Sequence, residues 1–375
     1  MFLAFMKLTS SLDISRIGRT RLIVAVVALF SIQPVRAEHS SIKIGLVAPL
    51  TGAAAAFGRS CRVAAELAVK DLPQERRDVV KLLVEDDGLV NARSVAAGRK
   101  LMDIDQVHGL VSFSSSTALS LAPIVEQKHI PQIAIASDPA VARGRVYTFT
   151  YWVSPEREAE LLCQHLEATG KKRVAILSVT HNGILAVRDA LLHRIAQRRV
   201  LEVVASEEVS NDVLDFRGVL QRIRAREPFD AFIPIFFPGQ LAVVIKQARA
   251  LGIAAPLYGF ETFEDKDEIA AAGGLMTDAV YATGTDPSLD FQQRLQALDP
   301  GVSSYVASNC YDSVRLLVRA LSESTSVEQA AEILRTLKDY KGEAGLVSAT
   351  GDNRFDLPGM LKTIDSEGRA SPLHQ

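Results

Sequence analysis

Apolar positions along this chain alternate between short continuous runs and stretches with helical spacing. Ser41 to Leu50 predicts an opening strand, turned by Thr51-Gly52, and Ala64, Leu67 and Ala68 carry a helical period through 53–70. Lys81 to Glu85 predicts a second strand ending in Asp86-Asp87-Gly88, followed by a helix over 92–102. Val107 to Val111 predicts a short buried strand. A serine-rich turn, Ser112-Phe113-Ser114-Ser115-Ser116-Thr117, then leads into Ala118, Leu119, Leu121, Ala122, Ile124 and Val125 at helical spacing. Ile130 to Ser137 predicts the next strand, closed by Asp138-Pro139.

A second series of the same kind starts after Pro155. Helices are expected over 156–169, 186–197, 216–226 and 241–251, with strands over 173–179, 201–209 and 231–237 between them. Pro234 places the last of these at a strand end or a sheet edge. Short strands follow at Pro256 to Glu261 and Val280 to Gly284, then helices over 290–298, 308–321 and 327–337, and closing strands over 355–364. Strand–helix alternation that occurs twice without sequence repetition predicts an α/β protein of two similar lobes, each a parallel sheet flanked by helices.

Composition narrows the functional classes. The 375 residues are 48% hydrophobic and 23% charged with a net charge of −2, enough for two cores and without the basic footprint of a nucleic-acid partner. Three cysteines, Cys61, Cys163 and Cys310, leave open one pair with one left over, or buried free thiols. Seven histidines show no metal-ligand spacing, and neither a metal nor a cofactor is expected. Residues 1–37 have the form of a cleavable signal peptide. Arg16, Arg19 and Arg21 precede an apolar core from Leu22 to Ile32, and Val35-Arg36-Ala37 supplies the small residues of a cleavage site. That core is shorter than the roughly 20 residues of a membrane span.

Catalysis fits poorly. No nucleophile elbow or nucleotide loop is present. His108 and His129 read as surface or core residues. Asp86 and Asp87 read as a solvated turn, since neighbours on a strand face opposite ways. Binding fits better. The serine turn lies at a strand end and feeds a helix N-terminus, which suits a carboxylate, with a plain N-cap as the alternative. Glu261 ends an apolar run between Phe260 and Phe263, which suits a counter-ion for a ligand ammonium, a loop carboxylate in water being the alternative. Together they would clamp a zwitterion, with Phe57, Phe113, Tyr151, Trp152, Phe236 and Phe237 as candidate walls.

Several of these segments resemble the leucine/isoleucine/valine-binding proteins of ABC importers, which are type I periplasmic solute-binding proteins. The resemblance is carried by Ile44-Gly45-Leu46-Val47-Ala48-Pro49-Leu50-Thr51-Gly52 with Phe57-Gly58, Asp86-Asp87-Gly88 and Ser114-Ser115-Ser116-Thr117. Ile130-Pro131, Ala136-Ser137-Asp138-Pro139 and Lys246-Gln247-Ala248-Arg249-Ala250-Leu251-Gly252 continue it, over roughly 41–370. It implies the two-lobed periplasmic-binding-protein type I fold joined by three crossovers, with residues 38–155 plus 286–348 in the first lobe and 156–285 plus 349–375 in the second. The hinges are expected near Ser154-Pro155, Thr285 to Pro287 and Gly345 to Gly351.

The resemblance also implies a site. The ligand carboxylate would sit at Ser114, including its backbone N–H, and near Ser115. The ammonium would meet the carbonyl of Ile135, the hydroxyl of Ser137 and Glu261. Phe57 would cover the ligand side chain beside Phe113. Phe236, or Phe237 next to it, stands where a tyrosine is usual, and His181-Asn182 where an aromatic precedes a glycine, so Asn182 is a candidate contact. The implied function is the periplasmic substrate-binding component of an importer, not an enzyme. It would take a branched-chain, aliphatic or related amino acid as a monomer and dock on an ABC permease of the inner membrane. The alternative is a periplasmic sensor of the same fold that binds an amide or a small aromatic acid.

Overall fold

The protein is described from a computed structural model covering residues 41–373 except Ala53. The expected signal segment, 1–37, lies outside the described residues. Ile42–Ala48 (β1) is buried from Ile44 onward because it has a strand on each side and helices above and below. Val80–Asp86 (β2), Gly109–Phe113 (β3), Gln132–Ile135 (β4) and Thr148–Thr150 (β5) complete a parallel sheet of order β2-β1-β3-β4-β5. Ala55–Lys70 (α1), Asn91–Arg99 (α2) and Ser115–Lys128 (α3) connect its first four strands. Because all strands run one way, their carboxyl ends share one edge.

The serine turn differs from its sequence reading. Ser112 and Phe113 finish β3, and Ser112 is fully buried, accepting a hydrogen bond from Gln132 Nε2 at 2.8 Å. A satisfied serine is tolerated inside a strand, so its polarity does not mark a loop.

The second lobe opens with Pro155–Ala168 (α4), capped by Ser154, whose side chain accepts from the Arg157 N–H. Arg173–Val179 (β6), Asn182–Ala196 (α5), Glu202–Val209 (β7), Arg217–Arg224 (α6) and Ala231–Ile235 (β8) give a parallel ladder of order β7-β6-β8. Pro234 lies on the outer strand of that ladder, and a single bridge from Phe232 to Leu257 carries it toward the next strand. Leu241–Ala250 (α7), Tyr258–Gly259 (β9), Lys266–Ala272 (α8) and Val280–Gly284 (β10) follow. β9 stops before Glu261, which opens a 3-10 turn, Glu261–Glu264.

The chain then returns to the first lobe. Leu289–Leu298 (α9), Ser304–Glu323 (α10) and Val327–Arg335 (α11) pack there, ahead of a small antiparallel sheet of Tyr340–Gly342 (β11), Gly345–Ala349 (β12) and Phe355–Asp356 (β13). Gly359–Ile364 (β14) runs antiparallel to β10, and Ala370–Pro372 (β15) antiparallel to β14. The second lobe's parallel strands therefore carry an antiparallel flank.

Core membership locates the passages between lobes. Ile44, Phe149, Val314, Phe355 and Leu357 share one core, whereas Leu361 packs with Leu162, Ile176 and Ile233. Phe355 stays with the first core because its ring meets Phe149 at 6.2 Å and Tyr151 at 5.4 Å. Phe355 and Leu357, beyond the expected boundary at 349, thus pack with the first core. α10 lies along α1, and a Cys61–Cys310 disulfide joins them with a Cα–Cα distance of 5.2 Å. Cys163 is the left-over thiol, buried inside α4, and burial pushes its pKa up to about 12.

Candidate ligand site in the interlobe cleft

Ser114 follows β3 and caps α3, its hydroxyl accepting from the Thr117 N–H at 3.2 Å. Its backbone, at φ 84 and ψ 151, occupies a region that glycine tolerates and other residues rarely enter. Its N–H is not free for a ligand, since it donates to the Ile135 carbonyl at 3.0 Å. That corrects the expectation of a carboxylate held by this N–H; the helix's own first amides, at Ser115 and Ser116, are the donors that geometry leaves unpaired. Replacing Ser114 by glycine is expected to stabilise the fold by about 1 kcal/mol, because relieved backbone strain outweighs a small capping loss. Urea unfolding would measure the gain, and ligand titration the expected loss of affinity with the hydroxyl.

Asp86 and Asp87 correct the solvated-turn reading. Asp87 is fully buried and receives hydrogen bonds from Ser94 Oγ at 2.7 Å and Thr117 Oγ1 at 2.5 Å. Asp86 receives Leu50 N–H at 2.8 Å and Thr51 Oγ1 at 2.6 Å. Burial raises the Asp86 pKa, but hydrogen bonds from Thr51, Leu50 and Gly88 together hold it below the usual value. The adjacent pair does face two ways. One carboxylate anchors the loop that leads to Phe57 and the other anchors the α3 N-terminus.

From the second lobe, His181 caps α5 and reaches Ser116. Its Nδ1 accepts from the Gly183 N–H at 3.3 Å, which leaves the proton on Nε2 to donate to Ser116 Oγ at 3.0 Å. Burial lowers the His181 pKa to about 4, so the ring is neutral at neutral pH. Ser137 Oγ donates to the Gly183 carbonyl at 3.3 Å. A Cβ built on Gly183 would lie 2.8 Å from Ser137 Oγ and 3.1 Å from Ser115 Oγ, so a larger residue there would have to displace both hydroxyls.

Between these contacts lies a cavity with about 620 Å³ of empty space, part of it continuous with solvent. Of the expected residues, Ser114, Ser115, Ile135, Ser137, Glu261, Phe57 and Phe113 all line it. Two do not. Phe236 turns away into the core, edge-on to Phe216 at 5.2 Å, and Phe237 faces the cavity against His181 at 4.5 Å. Asn182 is exposed outside the cavity, and its neighbours His181 and Gly183 take its place. Of the candidate walls, Trp152 lines the cavity and Tyr151 does not, being buried with its hydroxyl on Asp312 at 2.9 Å.

Sequence reasoning missed Leu89, Ile184, Tyr305 and Val306, which also line the cavity. Tyr305 stands edge-on to Trp152 at 5.1 Å. The one available signal was its place at the start of the strong helix α10. The serine end of the cavity carries hydroxyls and helix amides, and the wall opposite carries the Glu261 carboxyl, whose Oε2 is sealed from solvent. Burial raises the Glu261 pKa, and no ion pair neutralises it among the described residues. Nor do three histidine, cysteine, aspartate or glutamate side chains gather there as metal ligands would.

Comparison with known proteins bears on this geometry. The family model described as periplasmic binding protein matches residues 41–368. The Leu/Ile/Val-binding protein BraC3 of Rhizobium johnstonii is 24% identical over 315 residues, which cover 81% of this chain and 85% of the relative. The structure of a leucine binding protein, LivK from Thermotoga maritima, superposes with a TM-score of 0.81 at 18% identity, over 89% of this chain and 98% of that one. A solute binding protein of an ABC transporter from Rhodopseudomonas palustris BisB5, in complex with 3,4-dihydroxy benzoic acid, gives 0.78 at 19% identity over 89% and 96%.

Proposed function

Given that the chain belongs to the periplasmic binding protein family, we propose that it captures an amino acid in the interlobe cleft and delivers it to an ABC permease of the inner membrane. The observation that carries this reading is the Glu261 carboxyl, which lines the cavity with no cation paired to it among the described residues and faces a helix N-terminus lined by serines. A desolvated carboxylate without a counter-ion is costly, and a ligand ammonium removes that cost with a charge-assisted hydrogen bond. Ligand carboxylate at Ser114 to Ser116 and ammonium at Glu261 would tie the lobes together. Phe57, Phe113, Trp152 and Phe237 would pack on an aliphatic or aromatic side chain.

Contacts made from both lobes favour the shut cleft only when ligand is present, which is what shifts the open–closed balance. We place the three hinges at Ser154-Pro155, Thr285 to Pro287 and Leu357 to Gly359. The family supports a periplasmic location. No covalent step is needed, and the protein would act as a monomer.

Trp152 is the chain's one tryptophan and lines the cavity, so its fluorescence should report ligand directly. A titration against amino acids, short amides and small aromatic acids, paired with thermal shift, tests the reading. Saturable quenching or enhancement by an amino acid is expected. Binding only by acids that lack an amine would overturn the amino-acid assignment and favour the aromatic-acid class that the Rhodopseudomonas protein holds.

A further inference from the structure

Beside Glu261 but outside the cavity lining is a second carboxyl that no ion pair among the described residues accounts for. Glu158 sits in the first part of α4 and is fully buried. Both of its oxygens, and Oε2 of Glu261, are sealed from solvent, and none of the three is hydrogen-bonded among the described residues. The two carboxyls are hydrogen-bonding neighbours, yet as two carboxylates neither has a proton to give. We propose that Glu158 is carried as a neutral acid that donates its proton to Glu261, fixing the orientation of Glu261 and leaving one negative charge at this wall. Glu158 is then a positioning residue, and the wall accepts a ligand with one ammonium group rather than two. The ligand class rests on the amino-acid reading above; the protonation of Glu158 does not.

Like charges at contact distance in a dry site repel several-fold more strongly than a helix N-terminus attracts, so the α4 dipole cannot keep both ionised. Burial, and then the Glu261 charge, push Glu158 well above the usual carboxylate range. The surroundings supply no rescue. Tyr305 of α10 faces the pair and is itself pushed up, first by burial and then by the charges of Glu261 and Glu158. Glu264 adds a further negative charge, and Tyr281 of β10 has no charge to offer. Lys362 of β14 is committed to Glu264 at 2.6 Å and Asp286 at 2.5 Å. Along α5 and just past its end, Arg188 pairs with Asp189 and Glu208, and Arg194 and Arg198 pair with Glu160. Trp152 brings an indole N–H within reach of Glu261.

Two measurements test this in the whole protein. The first needs no ligand. The infrared spectrum in heavy water at mildly alkaline pH should show a protonated-carboxyl band in the wild type that Glu158→Gln removes, the difference spectrum cancelling the other buried acids. Absence of a lost band overturns the proposal. The second is amino-acid affinity read by Trp152 fluorescence. Glu158→Gln keeps a donor toward Glu261 and should bind within about threefold of wild type, whereas Glu158→Leu removes that donor and should weaken binding by about tenfold. If Glu158→Gln binds as poorly as Glu158→Leu and a diamine binds the wild type more tightly than a neutral amino acid, both carboxyls are ionised and the proposal falls. A band lost in Glu158→Gln, in a wild type that binds no amine, upholds the neutral acid and overturns only the amino-acid reading.

Discussion

Replacing Glu261 by glutamine is expected to weaken amino-acid binding by about 100-fold, or roughly 2.7 kcal/mol, while leaving the fold intact. The substitution keeps the shape of the side chain but removes the negative charge that the proposed site offers to an ammonium. Isothermal titration of wild type and variant with the same amino acid measures the loss directly. Ligand-free stability should move the other way. Burial holds the folded pKa of Glu261 above its ordinary value of 4.5. Its favourable contribution is therefore complete below about 4.5 and lost as pH rises through the raised value. At neutral pH the glutamine variant avoids that cost and should melt higher without ligand, yet show little further rise when ligand is added. Affinity follows the opposite sign, since the ammonium needs the ionised form: binding by the wild type should fail as pH drops through the raised pKa of Glu261. Equal affinity of wild type and variant for every amino acid that binds would remove Glu261 from the site.

The second large effect concerns Cys61 and Cys310. The disulfide closes a span of 249 residues, enough to restrict the unfolded chain strongly. Its removal by Cys61→Ser with Cys310→Ser should cost about 4 kcal/mol, on the scale seen for long loops. For a chain of this size that lowers Tm by roughly 8 °C. Differential scanning calorimetry provides the comparison. Thiol titration supplies the control: the native wild type should show no reactive thiol, because Cys163 is buried with its pKa pushed up to about 12. Denaturation without reductant should then release one thiol, and with reductant three.

The sequence carried most of the architecture because buried parallel strands write themselves as apolar runs and their helices as a clear period. It also picked out residues that line opposite walls of the cavity. The serine turn and Glu261 were legible because polar residues at strand ends in apolar surroundings are costly unless used. What failed were single-residue choices of face. Phe236 and Phe237 are equally aromatic neighbours just past β8, and which one meets the cleft depends on where the strand's alternation ends. Asn182 and His181 differ in the same way, being the first helical residue and its cap. Asp87 misled because its partners, Ser94 and Thr117, are remote in sequence. Glu158 left no sequence signal at all. An acid in the first turns of a helix beginning Pro155-Glu156-Arg157 reads as an ordinary exposed residue, and only tertiary packing seals it.

Gly183 lets the two lobes approach closely. Where its side chain would be, Ser137 Oγ and Ser115 Oγ already stand. The contact of the two lobes here is as tight as one missing methyl group permits. A methyl at that position would have to push both serine hydroxyls aside or hold the jaws slightly ajar. On the proposed function, that small clearance would bear on residence time: how long a captured molecule stays before it escapes.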